Sequence, residues 1–280
     1  MTGLSLSLVR GAVTSPFKRA GRPGATLPTG RAVLPPSRTA PGPLAAYREI
    51  CGFTEPGPLP LTYPHVLGFP LAMRLMTGRD FPLPVLGLVH TWIEITGHRA
   101  PLPTDALELT VYAAELAPHR RGTEVTMVTE ARLGDELVWE SRSGYLSRHA
   151  TAAEAPPSPS RAATPHLPAV AEWRLPADLG RRYGAASGDR NPIHLNPLTA
   201  RLFGFPRHIA HGMWTVARCL AEAGSGSDTG GPQGRILSVR ADFRAPVPLP
   251  STVTYATDGN AFQMRGAGRV HLDGSVTREG

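Results

Sequence analysis

The sequence predicts an α+β fold built twice within one chain. Residues 43–148 and 169–280 each read as a substantial apolar helix followed by several runs alternating apolar and polar residues. That is the pattern of a helix laid on a half-buried antiparallel sheet. Between them, residues 149–168 are rich in Ala, Pro and Ser, with Pro156 to Pro159 the stiffest part, and read as a linker. The two halves share little identity by eye, so the repeat is one of architecture.

Residues 1–42 are rich in Gly, Pro, Ser and Arg, with weak periodicity, and read as an irregular basic tail. Within it, Val33 to Pro36 could form a short edge segment. The clearest elements of the first unit begin near residue 58. Tyr63 to Met76 places Leu67, Leu71 and Leu75 at helical spacing. Pro64 suits a first helical turn, Pro70 argues for a break or kink, and Gly78 is a plausible stop. Strands are expected at Val85 to Thr96, Leu107 to Ala113, Glu124 to Leu133 and Leu137 to Leu146, with a hairpin at Gly134-Asp135. In the second unit, Trp173 to Leu175 reads as a strand and Pro176 to Ser187 as a short helix. A motif-rich loop and a helix from about Ala210 to Ala223 follow. After the glycine-rich loop 224–234, strands are expected at Ile236 to Phe243, Thr252 to Thr257, Phe262 to Ala267 and Val270 to Leu272. Asp258-Gly259-Asn260 reads as a hairpin turn.

Composition narrows the function classes. The 280 residues are long enough for two small cores, and 41% hydrophobic residues suffice to fill them. No apolar run approaches the ~18–20 residues needed to span a bilayer. Leu4 to Val9, interrupted by serines, has no convincing cleavage site and is not read as a secretory signal. Two cysteines, Cys51 and Cys219, make no disulfide framework and fit a reducing cytoplasm. The net charge of +7 comes from basic residues scattered over the tail and both halves, without aromatic interleaving. No nucleic-acid partner is therefore expected; the charge instead favours anionic substrates.

The chemistry is concentrated in Ser187-Gly188-Asp189-Arg190-Asn191-Pro192-Ile193-His194. On a continuous helix, Asp189 and His194 would lie about 140° apart. Asn191 is instead a good N-cap and Pro192 suits the first helical position, so the chain should turn between them. Such a turn can bring a carboxylate and an imidazole to one cavity, the two groups best suited to acid/base work near neutral pH. The alternative is a plain capped turn with His194 on the surface. Asn196-Pro197 repeats the cap, and Leu198 to Phe203 reads as a short helix stopped at Gly204. Ile209-Ala210-His211-Gly212-Met213 then opens a helix with a glycine in its first turn. First-turn N–H groups lack internal partners, and glycine would let a substrate carbonyl approach one closely.

The run Tyr183–Trp214, YGAASGDRNPIHLNPLTARLFGFPRHIAHGMW, resembles the hydratase motif of the MaoC-like dehydratases. These include the (R)-specific enoyl-CoA hydratases and 3-hydroxyacyl-thioester dehydratases. The resemblance extends credibly over 169–280, and residues 58–148 look like the degenerate first unit of two-unit members. It implies a double hot-dog: two helix-wrapped antiparallel sheets packed as a pseudo-dimer, with the active site near their interface. Asp189 and His194 are implied as the catalytic pair, Gly212 as backbone donor to the thioester carbonyl, and Asn191 and Ser187 as residues that order the loop. The implied reaction is reversible hydration of a trans-2-enoyl thioester to an (R)-3-hydroxyacyl thioester. The substrate would be acyl-CoA or acyl carrier protein thioester, with no cofactor, and a homodimer stays open. The first unit lacks the motif and is expected to shape the acyl-chain tunnel.

The remaining candidates read as structural. His211 fits a hydrogen-bonding role better than that of a proton carrier, His208 could be either, His65 fits a core or interface position, His90 and His98 packing beside Trp92, and Cys219 the core of a helix. Met213 and Trp214 fit the core better than a tunnel lining. No His, Cys, Asp or Glu spacing suggests a metal, and the glycine-rich loop has no Gly-Lys-Ser/Thr for a phosphate. Two rivals are kept: a thioesterase on the same fold, and a non-catalytic subunit that only holds an acyl thioester or a partner chain.

Overall fold

The structure is a computed structural model and describes residues 24–151, 166–224 and 234–280. Most of the tail, most of the linker and most of the glycine-rich loop lie outside the described residues. The first half runs β1 (Ala32–Ser37), α1 (Pro41–Cys51), α2 (Tyr63–Met76), β2 (Val89–Gly97), β3 (Leu107–His119), β4 (Gly122–Leu133) and β5 (Glu136–Arg148). The second runs β6 (Ala169–Leu175), α3 (Leu179–Ser187), α4 (Pro192–Leu195), α5 (Pro197–Leu202), α6 (Gly212–Gly224), β7 (Ile236–Phe243), β8 (Ser251–Thr257), β9 (Ala261–Gly266) and β10 (Arg269–Arg278).

All strands join one antiparallel ten-stranded sheet in the order β1-β3-β4-β5-β2-β7-β10-β9-β8-β6. Outward from its centre, each half repeats the same sequence of elements, and α1 and α2 stand where α3 and α6 stand in the second half. The expected two sheets are thus joined edge to edge, through Ile93↔Ala241 and Ile95↔Val239. Pairing β2 with β7 satisfies two rows of backbone donors and acceptors that would otherwise be sheet edges. Helix α2 covers the sheet of the first half and α6 that of the second. Val66, Leu71, Ile93, Ile95, Trp214, Val216, Val239 and Ala241 belong to one continuous core.

Several boundaries differ from the sequence reading. The irregular tail gives way at residue 32: β1 pairs with the edge of β3, and α1 follows immediately. Pro35 and Pro36 suit an edge strand, which needs fewer N–H donors. Leu44, Tyr47 and Cys51 form the buried stripe of α1 at helical spacing, and Gly52 closes it at φ 83°. Helix α2 passes through Pro70 without ending. Strand β2 starts at Val89, after Gly87 turns at φ 86°. Strand β10 runs on to Arg278, past a glycine that breaks the sequence pattern; a Cβ at Gly274 would stand 2.5 Å from Cζ of Phe262, so the aromatic ring fills that place.

Candidate active site

Helix α3 presents Gly180 and Gly184 four residues apart, on one face. A Cβ at Gly180 would overlap the His194 carbonyl oxygen, and one at Gly184 would lie 2.8 Å from the Asp189 carbonyl oxygen. The segment from Asp189 to His194 therefore rests directly on bare helix backbone. Gly188, at φ 80°, ends α3 and turns the chain into that segment.

A series of short side-chain-to-backbone bonds then fixes the turn. Ser187 Oγ donates to the Tyr183 carbonyl (2.9 Å) and accepts from the Asp189 N–H (3.2 Å). Asp189 Oδ1 accepts from the Asn191 N–H (3.1 Å), and Asn191 Oδ1 caps α4 by accepting from the Ile193 N–H (3.3 Å). Asn196 Oδ1 caps α5 in the same way (2.8 Å). The segment leading into α6 is tied back by Ile209 N–H to the Ile193 carbonyl (3.1 Å) and Ala210 N–H to the Val247 carbonyl (2.9 Å).

His194 is buried, and its Nδ1 bonds to the Ile209 carbonyl at 2.8 Å. A carbonyl accepts, so Nδ1 carries the proton and Nε2 is the lone-pair nitrogen of the neutral ring. His211 stacks on this ring, with centroids 3.7 Å apart, and its Nε2 donates to the Asp189 carbonyl at 2.9 Å. The Tyr183 ring also packs on His211, with centroids 4.8 Å apart, and the ring of Tyr47 of α1 lies 6.0 Å from that of Tyr183. The donor atoms of Asp189, His194 and His211 come within 4.8 Å of one another. Ligation of a metal through His211 Nε2 would require loss of its bond to the Asp189 carbonyl.

Burial shapes the acidities. The Asp189 side chain keeps 25% of its accessible surface, so water reaches it, yet protein surrounds it and desolvation raises its pKa. His194 and the Asn191 N–H act in the opposite direction. Desolvation lowers the pKa of His194, partly countered by Asp189 and by the bond to Ile209. His211 is pushed further down, first by burial and then by His194. The site therefore holds two neutral imidazoles beside a carboxyl group whose proton affinity is increased, the arrangement acid/base chemistry near neutral pH requires.

Gly212 is the first residue of α6. Its N–H is one of the first-turn donors that no helical carbonyl reaches. The structure adds a second reason for a glycine there. A Cβ would stand 2.8 Å from Cε1 of Phe243, so a side chain here would also meet that ring. Two open surface grooves, of about 380 and 420 Å³, lie elsewhere, one beside Arg74 and Asp80, the other around Ile50, Trp173 and Arg218. Neither holds a cluster comparable with Asp189, His194 and His211.

The MaoC like domain family model matches residues 155–271. A Mycobacterium tuberculosis protein, 3-hydroxyacyl-thioester dehydratase X, is 40% identical over 84% of this chain and 85% of its own. The chain belongs to the MaoC-like dehydratases. The crystal structure of HtdX from Mycobacterium tuberculosis superposes on this MaoC-like dehydratase with a TM-score of 0.74 at 35% identity, covering 89% of this chain and all of that one. Another Mycobacterium tuberculosis protein, described as having a double hotdog fold, matches at TM-score 0.52 and 16% identity over 91% of this chain and 98% of its own. The fold is thus an α+β double hot-dog, and the enzyme is a hydro-lyase. No helix among the described residues is long and apolar enough to cross a membrane.

The structure brings Ser187, Asp189, Asn191 and His194 of this MaoC-like dehydratase into one turn, with Gly212 opening the adjacent helix. His208 bonds to the Ala177 carbonyl (2.6 Å), His98 pairs with Glu140 at the surface (3.1 Å), and Cys219 is buried in α6. Trp214 is also buried and donates to the Ile50 carbonyl (2.8 Å). Sequence reasoning missed the seating of the turn on Gly180 and Gly184, whose four-residue spacing was the available signal. It also missed Tyr145 of β5, whose hydroxyl has its pKa raised by burial and then by the Asp189 carboxylate.

Proposed function

We propose that this dehydratase reversibly adds water to trans-2-enoyl thioesters of coenzyme A or acyl carrier protein, giving (R)-3-hydroxyacyl thioesters. The observation that carries the reading is the meeting of Asp189 and His194 in one buried turn, with His194 Nδ1 tied to a carbonyl. In hydration, one water sits between the Asp189 carboxylate and His194 Nε2. Its oxygen bonds to C3 as the pair takes one of its protons, and a proton is delivered to C2. Charge that builds on the thioester oxygen is stabilised by the first-turn N–H of Gly212. Dehydration runs the same steps backwards. General acid/base groups supply about 10²–10⁴-fold each, and an oxyanion donor about 10²–10³-fold. The reaction needs only water and the thioester's own electron sink, so it requires no cofactor.

Incubation with crotonyl-CoA tests this directly. The expected result is a mass gain of one water, reduced at least about 100-fold in Asp189→Asn and in His194→Ala at unchanged melting temperature. Release of free thiol instead would mean a thioesterase; binding without any mass change would mean a non-catalytic acyl-thioester subunit. Near-normal turnover in either variant would remove that residue from the mechanism.

A further inference from the structure

The charge of the chain is unevenly placed, and the segment that carries the Asp189–His194 pair holds an unbalanced share of it. Between Asp189 and Glu222 the sequence contains no acidic residue, whereas Arg190, Arg201, Arg207 and Arg218 fall within that stretch. Arg190, Arg201 and Arg207 are exposed, as are Arg181 and Arg182 of α3. None of these five forms an ion pair among the described residues. Elsewhere several surface arginines are neutralised, Arg99 by Glu136, Arg235 by Glu279 and Arg240 by Glu94. Arg181 reaches across to the Leu195 carbonyl at the end of α4 (3.3 Å), and Arg201 of α5 to the Pro206 carbonyl (3.4 Å), so α3, α4, α5 and the loop after them present these charges on one surface.

Helix α5 adds an apolar ridge to this surface. Its inner side is fastened to the turn: Ala200 is buried, and Thr199 Oγ1 donates to the Pro192 carbonyl (2.7 Å). Leu198, Arg201 and Leu202 share the opposite side. Leu198 is 68% exposed, Leu202 83% and Phe203, which follows, 37%. Three of the seven exposed large apolar side chains among the described residues thus fall within six consecutive positions. A single exposed leucine needs no account, but a cluster rimmed by charge marks an interaction surface. The inner side of the same segment is the candidate site, where His194 Nδ1 bonds to the Ile209 carbonyl. Arg190 follows Asp189 directly, and the Asp189 side chain keeps 25% of its surface accessible, so the open edge of the site borders the basic surface.

We propose that the outer side of residues 190–207, with Arg181 and Arg182 beside it, docks an acidic carrier protein that brings the enoyl group as a thioester on a flexible arm. This inference rests on the hydratase reading above and names the carrier. Guanidinium forks match the carboxylates of such a partner, and the Leu198–Leu202 ridge supplies the apolar centre that a protein interface needs within its polar rim. A second copy of this chain fits less well, because a two-fold contact on this surface would set arginines against arginines. A lipid surface calls for a helix free to sink its apolar face among the headgroups, whereas α5 has six residues and is held down through Thr199.

The test compares crotonyl-loaded acyl carrier protein with crotonyl-CoA as substrates. Two double variants are used, Arg201→Glu with Arg207→Glu, and Leu198→Ser with Leu202→Ser. Each should lower kcat/KM on the carrier protein by about tenfold or more, chiefly through KM. Crotonyl-CoA turnover should stay within about twofold of wild type, at unchanged melting temperature. Added salt should slow the wild-type reaction on the carrier protein, and slow it less in the charge-reversed variant. If wild type hydrates neither substrate, the hydratase assignment and this inference fall together. If crotonyl-CoA is hydrated but the carrier protein is not, or if the variants keep wild-type rates on it, or lose both substrates alike, only the docking surface is overturned. Binding of wild type to anionic phosphatidylglycerol vesicles, or a dimer that the leucine variant dissolves, with carrier-protein turnover unchanged in the variants, would assign the surface to a lipid or to a second copy and overturn it too.

Discussion

Acid should loosen the first unit through His65. The side chain is buried between α2 and β5, and burial alone holds its pKa at about 4 against an ordinary 6.5. A histidine whose folded pKa is depressed favours the fold while neutral. Its contribution is full above pH 6.5 and is lost as pH falls, because the unfolded chain takes up the proton first. Between pH 7 and pH 5 the loss works out at about 2 kcal/mol, growing to about 3.4 kcal/mol below pH 4. Urea unfolding of wild type and His65→Asn at the two pH values measures it. Asn costs some packing at both pH values, and that cost cancels in the comparison. His194, His211 and His271 are also shifted downward by burial and contribute to both proteins alike, whereas His90 is lowered by burial and then by His65, so its acid sensitivity also eases in the variant. The variant should lose about 2 kcal/mol less than wild type on acidification. An equal loss in the two proteins would refute the argument, and would mean that His65 is protonated in the folded state or reaches water.

Three further outcomes are expected. Gly180→Ala should lower both the melting temperature and kcat/KM, the latter by at least about tenfold, although alanine improves an ordinary helix by about 1 kcal/mol; a more stable and equally active variant would show that the turn does not rest on that glycine. Gly212→Ala should destabilise by about 1–3 kcal/mol through its clash with Phe243, and Phe243→Leu in the same chain should recover most of that in a thermal melt; no recovery would place the conflict elsewhere. Asp80→Ala, in the first half and away from the Asp189 turn, should leave crotonyl-CoA turnover within about twofold, and a large loss in a folded variant would relocate part of the chemistry to that half.

Which features the sequence disclosed follows from how local their causes are. The Asp189–His194 turn was legible because its bonds run between neighbours: Asp189, Asn191 and Asn196 each hold a backbone N–H two residues ahead. Helix α2 and strands β4, β5, β7, β8 and β9 were legible because their apolar periods hold along most of their length, whereas β10 was cut short at the glycine that breaks its pattern. Helix α1 was not, since Pro41, Gly42 and Pro43 open it and its stripe is only Leu44, Tyr47 and Cys51. The edge-to-edge junction was invisible as well, because Ile93 and Ile95 look the same whether β2 ends a sheet or continues it. Gly180 and Gly184 read as weak helix residues until the carbonyl groups lying on them are seen. The ring that a side chain at Gly212 would meet was out of view for the same reason, since Phe243 lies far along the chain.

The first half has lost the motif yet remains part of the site. Between α1 and α2 it has only residues 52–62, where the second half spends residues 188–211 on the turn, α4 and α5 between α3 and α6. With that insertion absent there is no counterpart of Asp189 or His194. What remains is support delivered from two directions. From behind, Tyr47 of α1 backs Tyr183, which backs His211, which stacks on His194. Along the sheet, β2 covers the edge of β7 and brings His90 against Phe243, the residue packed on Gly212. A separated second half would expose the edge of β7 and remove Tyr47 from Tyr183 and His90 from Phe243. His194 and the start of α6 would then lose contacts that fix their positions. The first half, which lacks the motif, therefore still holds in place the rings and the helix start around the Asp189–His194 turn of the second.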